Sequence, residues 1–201
     1  MKIYNVVGYL LIATHILLSA LVAPQKWGML WGVVFGFLYL IYIWFLGGLY
    51  LSDVIHMGIA HKTLNYKPWL IKSVALLNNT TGIYINPTTW VNRHRHHHAF
   101  SDHNGDPNKL DEDGFWKTMY LCVFPYACSK NLATEGIFKS WPFRLVSSPY
   151  FAVFSQVSSY GLLWLLSGDW LYAAVLWSSV RVFALWVNMI QNYWTHDRRF
   201  G

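Results

Sequence analysis

Nine histidines stand in this chain: His15, His56, His61, His94, His96, His97, His98, His103 and His196. Imidazole suits Zn, Cu, Fe and Ni, so gathered histidines point to a metal site without naming the metal. His94, His97 and His98 stand at i, i+3 and i+4, spacings that share one face of an α-helix. Asn192 and His196 repeat the i, i+4 spacing. His56 and His61 are five apart, which separates them by about 140° around an ideal helix. Either the helix ends between them, where Gly58 permits a break, or they serve two different ions. Six or more histidines exceed the four ligands of a structural zinc, and two metals fit them better than one. His96 points off the shared face and reads as a supporting or surface residue, His103 as a loop residue and His15 as a packed core histidine. Asp53 lies one turn before His56, where it could orient that ring or sit solvated at a helix end. Asp102 and Asp106 carry the same two readings.

These side chains need a frame. Of the 201 residues, 55% are hydrophobic, 18% aromatic and only 12% charged. Soluble domains carry about 25% charged residues, so the composition is that of a membrane protein. The expected fold class is an all-α membrane protein: four transmembrane helices with a cytoplasmic helical cap carrying the histidines. The apolar runs lie at 4–23, 27–51, 150–167 and 170–193, each near the ~20 residues needed to cross a bilayer. The first run follows Lys2 but is too long for the apolar core of a signal peptide and lacks a cleavage site, so it reads as a span. Residues 52–149 form the cap, in which 69–77 and 115–127 read as helices on or just under the membrane surface. With a cytoplasmic amino terminus, every lysine and arginine except Lys26 and Arg181 falls on the cytoplasmic side, as the positive-inside rule favours. All histidines but His15 then lie on that face. Ser155, Gln156, Ser158, Ser159 and Arg181 are polar within the third and fourth runs, and hydrogen bonding between helices is their preferred reading. Cys122 and Cys128 form no disulfide framework and receive no role. Four spans exclude a soluble nucleic-acid binder.

The stretch Trp90-Val91-Asn92-Arg93-His94-Arg95-His96-His97-His98, followed by Ser101-Asp102 and Asp106-Pro107, resembles the second histidine box of membrane fatty acid desaturases. His56-Met57-Gly58-Ile59-Ala60-His61 resembles their first box. Asn192-Tyr193-Trp194-Thr195-His196 is similar to the Asn-x-x-x-His that ends their fourth helix. The second box is the specific signal. The resemblance implies a single desaturase-like domain over 1–201 with a di-iron centre and O₂ as co-substrate, introducing a cis double bond, often at the ninth carbon, into an acyl chain. By position, His56, His61, His94, His97, His98 and His196 would ligate iron, and Asn192 would hold a metal-bound water. The substrate would be an acyl-CoA, an acyl-ACP or an acyl-lipid. Electrons would come from cytochrome b5, ferredoxin or a similar carrier. The chemistry agrees: an unactivated methylene has no acidic proton, so a base is useless and a strong oxidant is required. The protein would sit as a multi-pass protein in a bacterial inner membrane or the endoplasmic reticulum.

Two departures follow. The family carries a third box, H-x-x-H-H, beyond the fourth helix, and the sequence stops at Gly201 before one. The expectation is a truncated chain with weak metal binding and little activity by itself. Met57 and Lys62 replace the arginine common around box one of acyl-CoA desaturases, and Asn108 stands where a histidine often follows Asp-Pro, which leaves the acyl carrier open. The rival readings are a histidine-box hydroxylase of alkanes, sterols or fatty acids, a non-catalytic membrane metal-binding or transport protein, and an inactive desaturase remnant.

Overall fold

The structure, a computed structural model, describes residues 10, 13–14, 16–24, 27–101, 103, 105–107, 128 and 130–189. Asn192, His196, Asp102, His15 and the apolar stretch 115–127 lie outside the described residues. The chain is all-helical, with no strand among the described residues. Helix α1 (Gly28–Gly48) runs without a break into a π-helical segment, Leu49–Ala60. Then follow α2 (Pro68–Asn78) with a 3₁₀ turn at Asn79–Thr81, α3 (Pro87–Phe100), a 3₁₀ turn at Gly136–Lys139, α4 (Trp141–Val146), α5 (Pro149–Ser167) and α6 (Trp170–Met189).

Local chemistry sets the boundaries. Pro87 takes a first-turn position of α3, where its missing N–H costs nothing. The Asn86 side chain accepts a hydrogen bond from the Thr89 backbone N–H at 3.0 Å, satisfying one orphan donor of the first turn. Gly168, at φ +68°, ends α5 in the left-handed conformation that glycine adopts without penalty. Asp169 then accepts from the Tyr172 N–H at 2.9 Å and opens α6. This short corner makes α5 and α6 antiparallel neighbours.

The first long element outruns the sequence expectation. Gly28–Ala60 is 33 residues long and apolar enough to cross a membrane, and it alone among the described helices meets that test. The apolar run ends near Leu51, but hydrogen bonding carries the helix on through Ser52, Asp53 and His56 to Ala60. At ~1.5 Å per residue a helix of this length reaches about 50 Å, well beyond a ~30 Å hydrocarbon core. The histidine end therefore projects past any apolar layer that the other end occupies.

Burial is inverted along the long helices. In α5 the buried side chains include Ser155, Ser159 and Ser167, whereas Val153, Phe154, Val157, Leu165 and Leu166 are exposed. Small residues at contacts and large apolar ones outside are the pattern of helices packed in lipid. Gly32 shows the closeness involved: a Cβ there would collide with that of Ala23. An apolar core beside the histidines joins Tyr50, Val54, Ile55 and Ile59 to Val74 and Ala75 of α2, Val91 of α3 and Phe143 of α4.

Helix α2 covers the apolar stretch 69–77, and the turn that follows it packs against the long helices. Its carboxyl end reaches down beside the long helices. The Ser155 hydroxyl donates to the Asn79 carbonyl at 2.7 Å, the Gln156 amide donates to the Gly82 carbonyl, and Tyr42 in α1 hydrogen-bonds Thr80. Tyr42 precedes His56 by 14 positions, about 20 Å along the axis. Backbone carbonyls packed among helices and away from water need donors. Arg181 supplies more, to Gly82 O at 3.0 Å and to Gln156 Oε1, and it lies 3.5 Å over the Trp177 ring. Ser155, Gln156, Ser159 and Arg181 thus bond between elements, as their sequence reading prefers, whereas Ser158 donates to the Ser155 carbonyl within α5. Gly82 sits at φ +67° with Ser159 and Arg181 against it, so an added Cβ would meet both. Gly82→Ala is expected to destabilise the fold by about 1–3 kcal/mol, measured by thermal unfolding in detergent. An unchanged melting temperature would contradict this packing.

Candidate metal centre

Four imidazoles converge from two elements. His56 and His61 come from the end of the π-helical segment, and His94 and His98 from α3. One ligand nitrogen from each lies within 4.8 Å of all the others. The Nε2 atoms of His56 and His61 are 3.0 Å apart, and those of His61 and His94 are 2.9 Å apart. The pairing of His56 with His61 has a definite cause. The segment is neither broken at Gly58 nor α-helical, since the His61 N–H donates to the His56 carbonyl at 2.9 Å. A π-helix bonds residues five apart, which stacks His61 over His56 on one face, with ring centroids 4.7 Å apart. The 140° separation of an ideal α-helix is removed.

On α3 the face carries Trp90, His94 and His98, at steps of four. The Trp90 ring stacks on His94 with centroids 4.7 Å apart and planes 13° from parallel, fixing the imidazole's orientation. His97 is placed differently. Steps of three and four fall on opposite sides of His94, and His97 turns to Asp106, its Nδ1 lying 2.9 Å from one carboxylate oxygen and 3.0 Å from the other. It stays beside the cluster, with its centroid 5.5 Å from that of His98. The pairing puts the Nδ1 proton on the carboxylate side, the tautomer that leaves Nε2 as the basic nitrogen. Among the described residues, the carboxylate that engages a histidine is therefore Asp106 on His97, not Asp53 on His56. His96 is buried with Nε2 2.8 Å from the Lys130 carbonyl, a packing role. His103 is exposed, its Nδ1 2.7 Å from the Ser101 carbonyl.

The donor set fits a metal ion. Four nitrogens at a ~2.0–2.1 Å bond length sit about 3.3 Å apart in a tetrahedron, close to the spacings seen. A metal ligand must be neutral imidazole, and His94 meets the condition strongly. Burial, reinforced by His56, His98, His61 and His97 around it, pushes its pKa down to about 3. His61 and His98 are exposed, so the cluster opens to one side.

Sequence reasoning missed Arg95. Standing between two histidines of α3, it faces the other way. Its guanidinium donates to the carbonyls of Ile59 at 2.7 Å, Ala60 at 3.1 Å and Leu132 at 2.6 Å, and to Glu135 Oε1 at 2.6 Å. Glu135 also meets Lys62 at 3.4 Å. Burial would raise the Glu135 carboxyl, but its bonds to Arg95 and Lys62 outweigh that and hold it below its usual range. Nothing local in the sequence signals these partners.

Comparison with known proteins adds the lineage. The chain is 31% identical over 137 residues to a delta-9 acyl-lipid desaturase of Arabidopsis thaliana, covering 63% of this chain and 41% of the relative. It is 28% identical over 140 residues to an sn-1 stearoyl-lipid 9-desaturase of Anabaena variabilis, covering 69% of this chain and 49% of that protein. A third relative, a Synechocystis sn-1 stearoyl-lipid 9-desaturase, is 34% identical over 105 residues, covering 51% of this chain and 31% of the relative. No family model and no solved structure matches. The chain thus spans less than half the length of these curated relatives. Over these stretches it is similar to proteins named as acyl-lipid and stearoyl-lipid desaturases.

The neutrality of His94 gives a pH dependence. Unfolded, a histidine takes a proton near pH 6.5; folded, His94 resists until about pH 3. Between those values the unfolded chain binds more protons, so stability rises with pH and falls as acid is added. The metal-free chain in detergent is expected to melt at a progressively lower temperature from pH 7 to pH 5. Saturating divalent metal should raise the melting temperature, less so in acid. A flat profile over that range would count against a neutral, half-buried His94.

Proposed function

We propose that the chain is the histidine-box portion of an oxygen-dependent acyl-lipid desaturase that introduces a cis double bond, at the ninth carbon, into a lipid-bound fatty acyl chain. The convergence of His56, His61, His94 and His98 carries this reading, together with relatives whose names are those of Δ9 acyl-lipid desaturases. Bound iron would supply the oxidising power that a methylene demands. In balance, two hydrogens leave adjacent carbons, O₂ is reduced to two waters, and two electrons and two protons come from a donor such as cytochrome b5 or ferredoxin.

The chain's own residues then have stated tasks. His56, His61, His94 and His98 would hold one iron. His97, oriented by Asp106, would serve a second iron together with His196, with Asn192 acting through a water. Trp90 fixes the plane of His94. The outward apolar surfaces of α1, α5 and α6 support a multi-pass protein of four spans at about 4–23, 27–51, 150–167 and 170–193. The histidines of the two boxes then stand on the cytoplasmic face, in the cap at 52–149. An acyl chain in the bilayer could reach the cluster along α1 without crossing water. Partners are membrane lipid and the electron donor, in a bacterial inner membrane or the endoplasmic reticulum.

The test is expression of the complete gene in a host that lacks its own desaturase, with fatty acid methyl esters analysed by mass spectrometry. A cis-Δ9 monounsaturated product is expected. His94→Ala or His98→Ala should cut it at least 100-fold at equal protein level. A hydroxylated product, or product formed without His94, would contradict the proposal.

A further inference from the structure

Arg95 joins three chain segments at one point. Its carbonyl partners Ile59 and Ala60 are the last two residues of the π-helical segment, where a helix leaves its final carbonyls without intrahelical donors. The next residue, His61, is a member of the cluster. Lys62, at φ +58°, then turns the chain into the left-handed region that a non-glycine residue adopts only at a cost. Glu135 holds both ends of this arrangement, taking Arg95 at 2.6 Å and Lys62 at 3.4 Å. The guanidinium and carboxylate are largely buried, 18% and 20% exposed. A planar fork of five donors suits this set, and an ammonium does not.

We infer that Arg95 is a positioning residue for the metal centre, clamping the carboxyl end of the π-helical segment against α3 so that His56 and His61 meet His94 and His98. The inference rests on the metal-centre reading above and assigns that centre a control outside its ligands. One residue links the two halves of the donor set: Arg95 belongs to the helix that carries His94 and His98, and it holds the backbone that carries His56 and His61. Without it the two terminal carbonyls lose their donors, and the five-residue bonding that aligns His56 with His61 loses its end stop. Glu135, supplied from about forty residues further on, keeps the guanidinium aimed. Arg95 touches none of the four clustered nitrogens, so its loss changes geometry and not ligand number.

The experiment titrates Co(II) into the 201-residue chain in detergent and reads the visible absorption. The wild-type chain should bind Co(II) with the intense bands of a four-coordinate nitrogen site. Arg95→Lys keeps the charge but loses the fork; it should bind about 10–100-fold more weakly, with bands shifted and weakened while helicity by circular dichroism is retained. Arg95→Gly should recover part of the wild-type spectrum when millimolar guanidinium ion is added. Should Arg95→Lys lose helicity, Glu135→Gln decides, with severalfold weaker binding expected. Wild-type affinity and spectrum in the folded Arg95→Lys chain, or in Glu135→Gln where that variant decides, would overturn the inference and leave the metal reading intact. Failure of the wild-type chain to bind Co(II) would overturn both.

Discussion

The metal centre depends on a helix that bonds every fifth residue. His56 and His61 cannot share a face of an α-helix, and a two-element site would then offer three imidazoles at most. The π-helical segment Leu49–Ala60 closes the gap by stacking residues five apart. Its poorer backbone geometry has to be supported from outside, and the support is visible. Val54, Ile55 and Ile59 are buried in the apolar core against α2, α3 and α4, and Arg95 takes the last two carbonyls. Core packing, end-capping and ligand alignment are thus one constraint seen at three places.

The rest of the fold divides by depth. Above, charged and hydrogen-bonding residues tie the histidine-bearing elements together through Arg95, Glu135 and Asp106. Below, the long helices pack through serine, glycine and a buried cluster of Leu163, Tyr172, Ala173 and Leu176, and turn many of their other leucines, valines and aromatics outward. The turn at Asn79–Gly82 reaches down between these helices. Its Asn79 carbonyl accepts from Ser155 and its Gly82 carbonyl from Gln156 and Arg181, so these acceptors are paired. The half-buried arginine of α6 is thereby explained as a structural donor. The apolar length of α1 joins the two regions and carries the first pair of histidines on its end.

Much of this was legible in the sequence, for physical reasons. The second box reads as His94, His97 and His98 on one face; His94 and His98 do share it, four residues being close to one α-helical turn, while His97 turns aside to Asp106. The apolar runs marked the helices, and Gly168-Asp169 marked the corner between α5 and α6. Three features were not legible. The π register of His56 and His61 is invisible to a reading that assumes 3.6 residues per turn. The extension of α1 past Leu51 escaped hydropathy because Ser52, Asp53 and His56 are polar, yet hydrogen bonding continues the helix. Arg95 sat among histidines as an apparent spacer, with partners 35 to 40 positions away. The role of Asp106 was open in the sequence and became definite only when its carboxylate was found on His97.

The most direct test of the central claim is X-ray absorption at the iron edge on the chain loaded anaerobically with Fe(II). The account predicts a first shell dominated by nitrogen and the outer-shell scattering pattern of several imidazoles bound to one ion. A shell of oxygen ligands without that imidazole pattern would show that His56, His61, His94 and His98 do not form a metal centre.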